Sequence, residues 1–127
     1  MPSLGELIYT VERAPGEVAG KVESHVPKID APSEVAENES FTVEVRVGPH
    51  PNSAEHSIRK IELYFQEEGR KFNPIRLATV ELEPGYAEPI LRIQLRLSAS
   101  GTLHALAYCN LHGLWESRHF IKVFKRG

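Results

Sequence analysis

Alternation of apolar and polar residues, recurring in short runs, limits this chain more than any other feature. Leu91, Ile93, Leu95 and Leu97 alternate with Arg92, Gln94 and Arg96. Successive side chains of a strand point to opposite faces, so a period of two describes a strand with one buried face. Phe41, Val43, Val45 and Val47 alternate in the same way with Thr42, Glu44 and Arg46. Ile61, Leu63 and Phe65 oppose Glu62 and Tyr64, and a further strand is expected from Ile75 to Leu82. Leu103, Ala105, Ala107 and Cys109 form one face of the next strand, and Phe120 to Phe124 is the last strand expected.

Short strands punctuated by turns, with no long stretch of helical spacing, predict an all-β fold: an immunoglobulin-like antiparallel β-sandwich. Pro84-Gly85 and Ser98-Ala99-Ser100-Gly101 supply breaks between strands. Residues 11–40 are polar, carry Pro15, Pro27 and Pro32, and make up most of the first 40 residues. Residues 1–40 read as an irregular N-terminal arm, with residues 41–127 as the sandwich and the whole as one domain. Arms of this length without regular structure are often functional.

Hydrophobic residues make up 41% and charged residues 25%, which suits a globular chain with a core. The net charge of −2 argues against a nucleic-acid partner, which calls for a basic excess. No run approaches the roughly 20 apolar residues of a membrane span, and the first residues lack the basic start and apolar core of a signal peptide. The expected location is cytoplasmic. The single cysteine rules out an intramolecular disulfide and agrees with a reducing compartment.

Cys109 closes a predicted strand, and His112 follows after Asn110-Leu111. A soft thiolate and an imidazole on one tight turn suit zinc, copper or iron. A second loop, residues 48–56, carries His50 and His56, with Pro49 and Pro51 stiffening the chain on either side of His50. His25 lies in the arm. His104 falls on the strand face opposite Cys109, and His119 lies within the last strand, so neither is assigned to a site.

The donor set bears on the metal. A blue-copper site uses two His, one Cys and usually an axial Met beyond the Cys, and here the only Met is Met1. A structural zinc closes with four ligands, whereas five are available once His25 is counted. Five N/S ligands and one open position suit a metal that exchanges electrons and binds a small oxygen species. A cupredoxin-like copper carrier remains the alternative, and a metal-free interaction module a third.

Several separated segments then carry a family resemblance. Ser24-His25-Val26-Pro27, His50-Pro51-Asn52 with Glu55-His56, Ile58 to Phe65, Glu88-Pro89-Ile90 and Tyr108 to Glu116 resemble the superoxide reductase (neelaredoxin) family, single-iron class, from about residue 20 onward. The resemblance implies an iron-binding β-sandwich that reduces superoxide to hydrogen peroxide. It implies one iron per chain, cycling between Fe(II) and Fe(III). His25, His50, His56 and His112 would be the equatorial ligands, Cys109 the axial thiolate, and Glu23 the group that closes the sixth position after oxidation. It also implies a rubredoxin-type electron donor and a homotetramer. The chain departs from the usual Glu-Lys-His-Val-Pro motif, because Ser24 stands where the family has a lysine that attracts superoxide. Lys21 is the expected substitute, and Lys28 could add to the local positive field.

Overall fold

Each run with the two-residue period forms a strand in the computed structural model, which describes residues 1–126. In chain order the strands are β1 (Lys28–Asp30), β2 (Glu34–Ala36), β3 (Phe41–Arg46), β4 (Ile58–Glu67), β5 (Ile75–Glu81), β6 (Ile90–Leu95), β7 (Gly101–Cys109) and β8 (Gly113–Phe124). They build two sheets, one ordered β1-β3-β6 and the other β2-β8-β7-β4-β5. The alternation decides what lies between them. Val43 and Val45 of β3, Ile61 and Leu63 of β4, and Leu103, Ala105, Ala107 and Cys109 of β7 are all fully buried, in one cluster. Their neighbours Glu44, Glu62 and His104 take the opposite faces, as the pleat requires.

The last strand is longer than its apolar pattern suggests. It begins at Gly113, not Phe120. Glu116, Ser117, Arg118 and His119 hide the alternation, but β8 keeps register with β7 from Gly101↔Ile121 to Cys109↔Gly113. Register with β7 carries the strand through these polar residues, with Trp115 buried just before them.

The arm is more regular than the sequence suggests, with about half of residues 1–40 in short helical turns and strands. It contains a helical turn, α1 (Leu4–Leu7), a 3₁₀ stretch (Gly16–Lys21) and a second turn, α2 (Val22–His25). Its two three-residue strands tie it to both sheets: β1 runs antiparallel to β3, and β2 runs parallel to β8. Strands of three residues are too short for a period to be read. Closer to the start, Tyr9 bridges to Trp115 on β8. No helix among the described residues is long and apolar enough to cross a membrane.

The pairing also gathers the loops. Ile58↔Cys109 and Cys109↔Gly113 put the start of β4, the end of β7 and the start of β8 at one end of their sheet. The loop from β3 to β4 and the turn from β7 to β8 therefore meet there.

Candidate metal centre

Four imidazoles from three parts of the chain close into a ring at that end. His25 lies edge-on to His50 and to His112, with centroids 4.6 and 5.0 Å apart. His56 in turn lies against His50 at 4.7 Å and against His112 at 5.0 Å. Each ring thus touches two neighbours, so His25 faces His56 across the ring and His50 faces His112. Cys109 comes up from the core, fully buried, with Sγ 3.5 Å from His50 Nε2 and 3.7 Å from His112 Nδ1. The donor atoms of His25, His50, His56 and Cys109 all lie within 4.8 Å of one another. His112 Nδ1 joins them at 3.2 Å from His25 Nε2.

The loops are held by contacts that need no metal. Asn110 ties the two ligand loops together: its Oδ1 accepts from Ser57 N at 2.9 Å and its Nδ2 donates to Glu55 O at 2.9 Å. Asn52 anchors the His50–His56 loop to residues 85–87 by accepting from Gly85 N and donating to Ala87 O. Gly113 sits at φ 81°, a left-handed value that favours glycine, which lets the chain turn directly after His112. Trp115 Nε1 donates to His112 O at 3.0 Å, and its indole packs against the His25 ring at 5.0 Å between centroids.

Hydrogen bonds decide which ring nitrogen faces inward. His25 Nδ1 lies 3.0 Å from Lys21 O, and His50 Nδ1 lies 2.7 Å from Pro51 O. A carbonyl can only accept, so both Nδ1 atoms carry the proton and both Nε2 atoms present a lone pair. Ser24 Oγ sits 2.8 Å from His25 Nδ1 and donates to Lys21 O, sharing the same contact. The two Nε2 lone pairs then face each other at 3.1 Å with no proton between them. His56 Nε2 is buried with no partner at all. Converging lone pairs beside a buried thiol are what a cation requires and what an empty polar pocket would avoid.

The electrostatics agree. Burial lowers the His25 pKa from 6.5 to about 4; donation to Lys21 O opposes this, and the His50, His112 and His56 rings add to it. Burial likewise lowers His50, against the pull of its bond to Pro51 O. His112 is lowered by burial, then by the Lys21 ammonium. All three are thereby kept neutral, the form that binds metal. Between pH 6.5 and about 4 the unfolded chain accepts a proton that folded His25 refuses, so acid favours unfolding there. The urea midpoint of the metal-free protein is expected to fall as pH drops through that window and to level off below it. His25→Gln should flatten part of that slope; an unchanged slope would contradict the assignment.

The other residues singled out in the sequence lie around this ring. The Glu23 side chain is 92% exposed and turned towards Lys28, 3.8 Å from its ammonium. Lys21 lines a cleft of about 510 Å³ together with Glu17, Leu111 and His112. His104 lies elsewhere, bonded to Glu116 and Gln66, and His119 faces Pro32 O. Asn110 and Trp115 were visible only as members of the motif around Cys109; nothing in their residue type announced the loop contacts they make.

A family model described as desulfoferrodoxin matches residues 17–118. A superoxide reductase from Pyrococcus furiosus is 42% identical over 112 residues, spanning 76% of this chain and 87% of the relative. The chain belongs to the superoxide reductase family. Neelaredoxin from Megalodesulfovibrio gigas is 38% identical over 112 residues, covering 76% of this chain and 85% of that one. Among solved structures, a superoxide reductase (neelaredoxin) from Ignicoccus hospitalis superposes with a TM-score of 0.91 at 60% identity, over 97% of this chain and 100% of that one. The β-sandwich and the His/Cys cluster are thus those of a superoxide reductase family member, and the group that fits the cluster in this family is iron. A copper electron carrier is not favoured.

Proposed function

We propose that this chain is an oxidoreductase that reduces superoxide by one electron, consuming two protons and releasing hydrogen peroxide. The closed ring of four imidazoles over a buried thiol, with lone pairs turned inward, carries this reading. His25, His50, His56, His112 and Cys109 would hold one iron per chain, with Glu23 as the further ligand that the family motif implies for the oxidised state. Bound iron would supply the electron through its Fe(II)/Fe(III) couple.

The chain's own residues do the rest. The Cys109 thiolate is the only anionic donor among the five, and it raises electron density at the metal, the lever by which thiolate ligands tune iron. Lys21 O and Pro51 O fix the tautomers of His25 and His50, so the ring stays set for ligation between turnovers. His25 is buried, but His50, His56 and His112 are partly exposed, which leaves the site open to water, the source of both protons. Superoxide is an anion and the protein carries a net charge of −2, so attraction has to be local. Lys21, beside His112, and Lys28, beside Glu23, supply it, in place of the lysine absent at Ser24. Lys21→Ala is expected to slow superoxide association severalfold at low salt and to weaken its salt dependence; an unchanged second-order rate would remove Lys21 from this role.

The remaining assignments rest on the family. A rubredoxin-type protein would be the external electron donor. The chain works as one domain, in a homotetramer, in the cytoplasm; the exposed Leu4 and Leu7 of α1 offer apolar surface for association, and the lone Cys109 agrees with a reducing compartment. Iron content measured with the reduced-minus-oxidised spectrum tests the function. About one iron per chain with a thiolate-to-metal band is expected; copper in its place, or failure to take up Fe(II), would overturn it.

A further inference from the structure

Lys28 occupies a position that neither the fold nor the ligand set demands. It opens β1, opposite Arg46 on β3, so its side chain starts beside the Gly48-Pro49-His50 turn. Its ammonium donates to Gly48 O at 2.7 Å and to Glu23 O at 3.2 Å. One carbonyl belongs to the loop bearing His50, the other to the turn bearing His25. Charge-assisted bonds to two carbonyls fix the ammonium whether or not Glu23's carboxylate is near. That carboxylate lies 3.8 Å away, almost wholly exposed. The nearby Arg46 is already committed to Glu44 at 2.6 Å, so Lys28 is the cation this carboxylate meets.

We infer that Lys28 is a positioning residue: its anchored ammonium holds the Glu23 carboxylate outside the metal centre and so limits how often that carboxylate occupies the open position. The inference rests on the iron reading above. An exposed pair at this distance is weak, and weakness suits the role. A strong pair would strip the site of its sixth ligand, whereas a weak one leaves Glu23 free to move in and gives it a defined place to return to. The backbone bonds keep the resting place in register with both ligand loops.

Azide binding to the oxidised, iron-loaded protein, read from the visible spectrum, measures how accessible the open position is. Lys28→Met frees Glu23 to compete and is expected to weaken azide binding about three- to fivefold, the range an exposed ion pair supports. Lys28→Gln, which keeps an N–H donor for the carbonyls without the charge, should do the same, and Lys28→Arg should stay close to the parent. In a Glu23→Ala background the effect of Lys28→Met should shrink to the small, salt-sensitive loss that comes from Lys28's own attraction for an anion. Equal losses with and without Glu23, or no loss in either, would overturn the inference. A parent protein that takes up no iron would instead overturn the function on which it rests.

Discussion

Cys109→Ser is expected to abolish the thiolate-to-iron charge-transfer band and to reduce superoxide turnover more than any other single change. Serine is nearly isosteric, so the fully buried position at the end of β7 stays filled and the fold should persist. What changes is the donor. A metal removes the proton from a thiol outright, whereas an alcohol gives it up far less readily and is a harder ligand. The ring of neutral imidazoles would then lose its one anionic partner. Removing an outer partner of a metal ligand typically costs about 10–100-fold in affinity or activity; loss of the thiolate should exceed that. Circular dichroism, iron content and the visible spectrum together check this. A retained band would place the thiol outside the ligand set.

Trp115→Ala should be the most damaging substitution away from the donor atoms. The indole is fully buried, the largest side chain in that state. Replacing a buried Trp by Ala costs about 3–5 kcal/mol through lost contacts and the cavity left behind, a large part of a domain's typical 5–15 kcal/mol. The position also serves the site twice, through the bond to His112 O and the packing against His25. Weaker iron retention against a chelator is therefore expected alongside a lower unfolding midpoint. Trp115→Phe separates the two: it restores most of the packing and not the hydrogen bond. If Trp115→Phe retained iron like the parent, the link to His112 would carry no weight.

The fold is legible wherever a strand buries one face and wets the other. β3, β4, β6 and β7 announce themselves because their neighbours are core on one side and water on the other. β1 and β2 do not, being three residues long. The first half of β8 does not either, because its polar residues Glu116 to His119 are held by register with β7. The candidate site shows the same division. Cys109 and His112 stand out through spacing, and His50 and His56 through a proline-stiffened loop. His25 sits in a polar arm, and only the family motif marks it. Which nitrogen of each ring faces inward depends on carbonyls such as Lys21 O and Pro51 O, and backbone positions carry no trace in residue type. The loss of a lysine at Ser24 was legible; that the hydroxyl there shares the His25 contact was not.

The ring of imidazoles draws on residue 25, residues 50–56 and residues 109–112, segments far apart along the chain. A cation shared among them acts as a cross-link. In the unfolded ensemble such a link would close two long loops, and the entropy removed from that ensemble favours the folded one. A chain with a single cysteine has no disulfide of its own to do this. A bound metal would therefore add the cross-link that this chain otherwise lacks, and iron loading is expected to raise the unfolding midpoint of the protein as well as its activity.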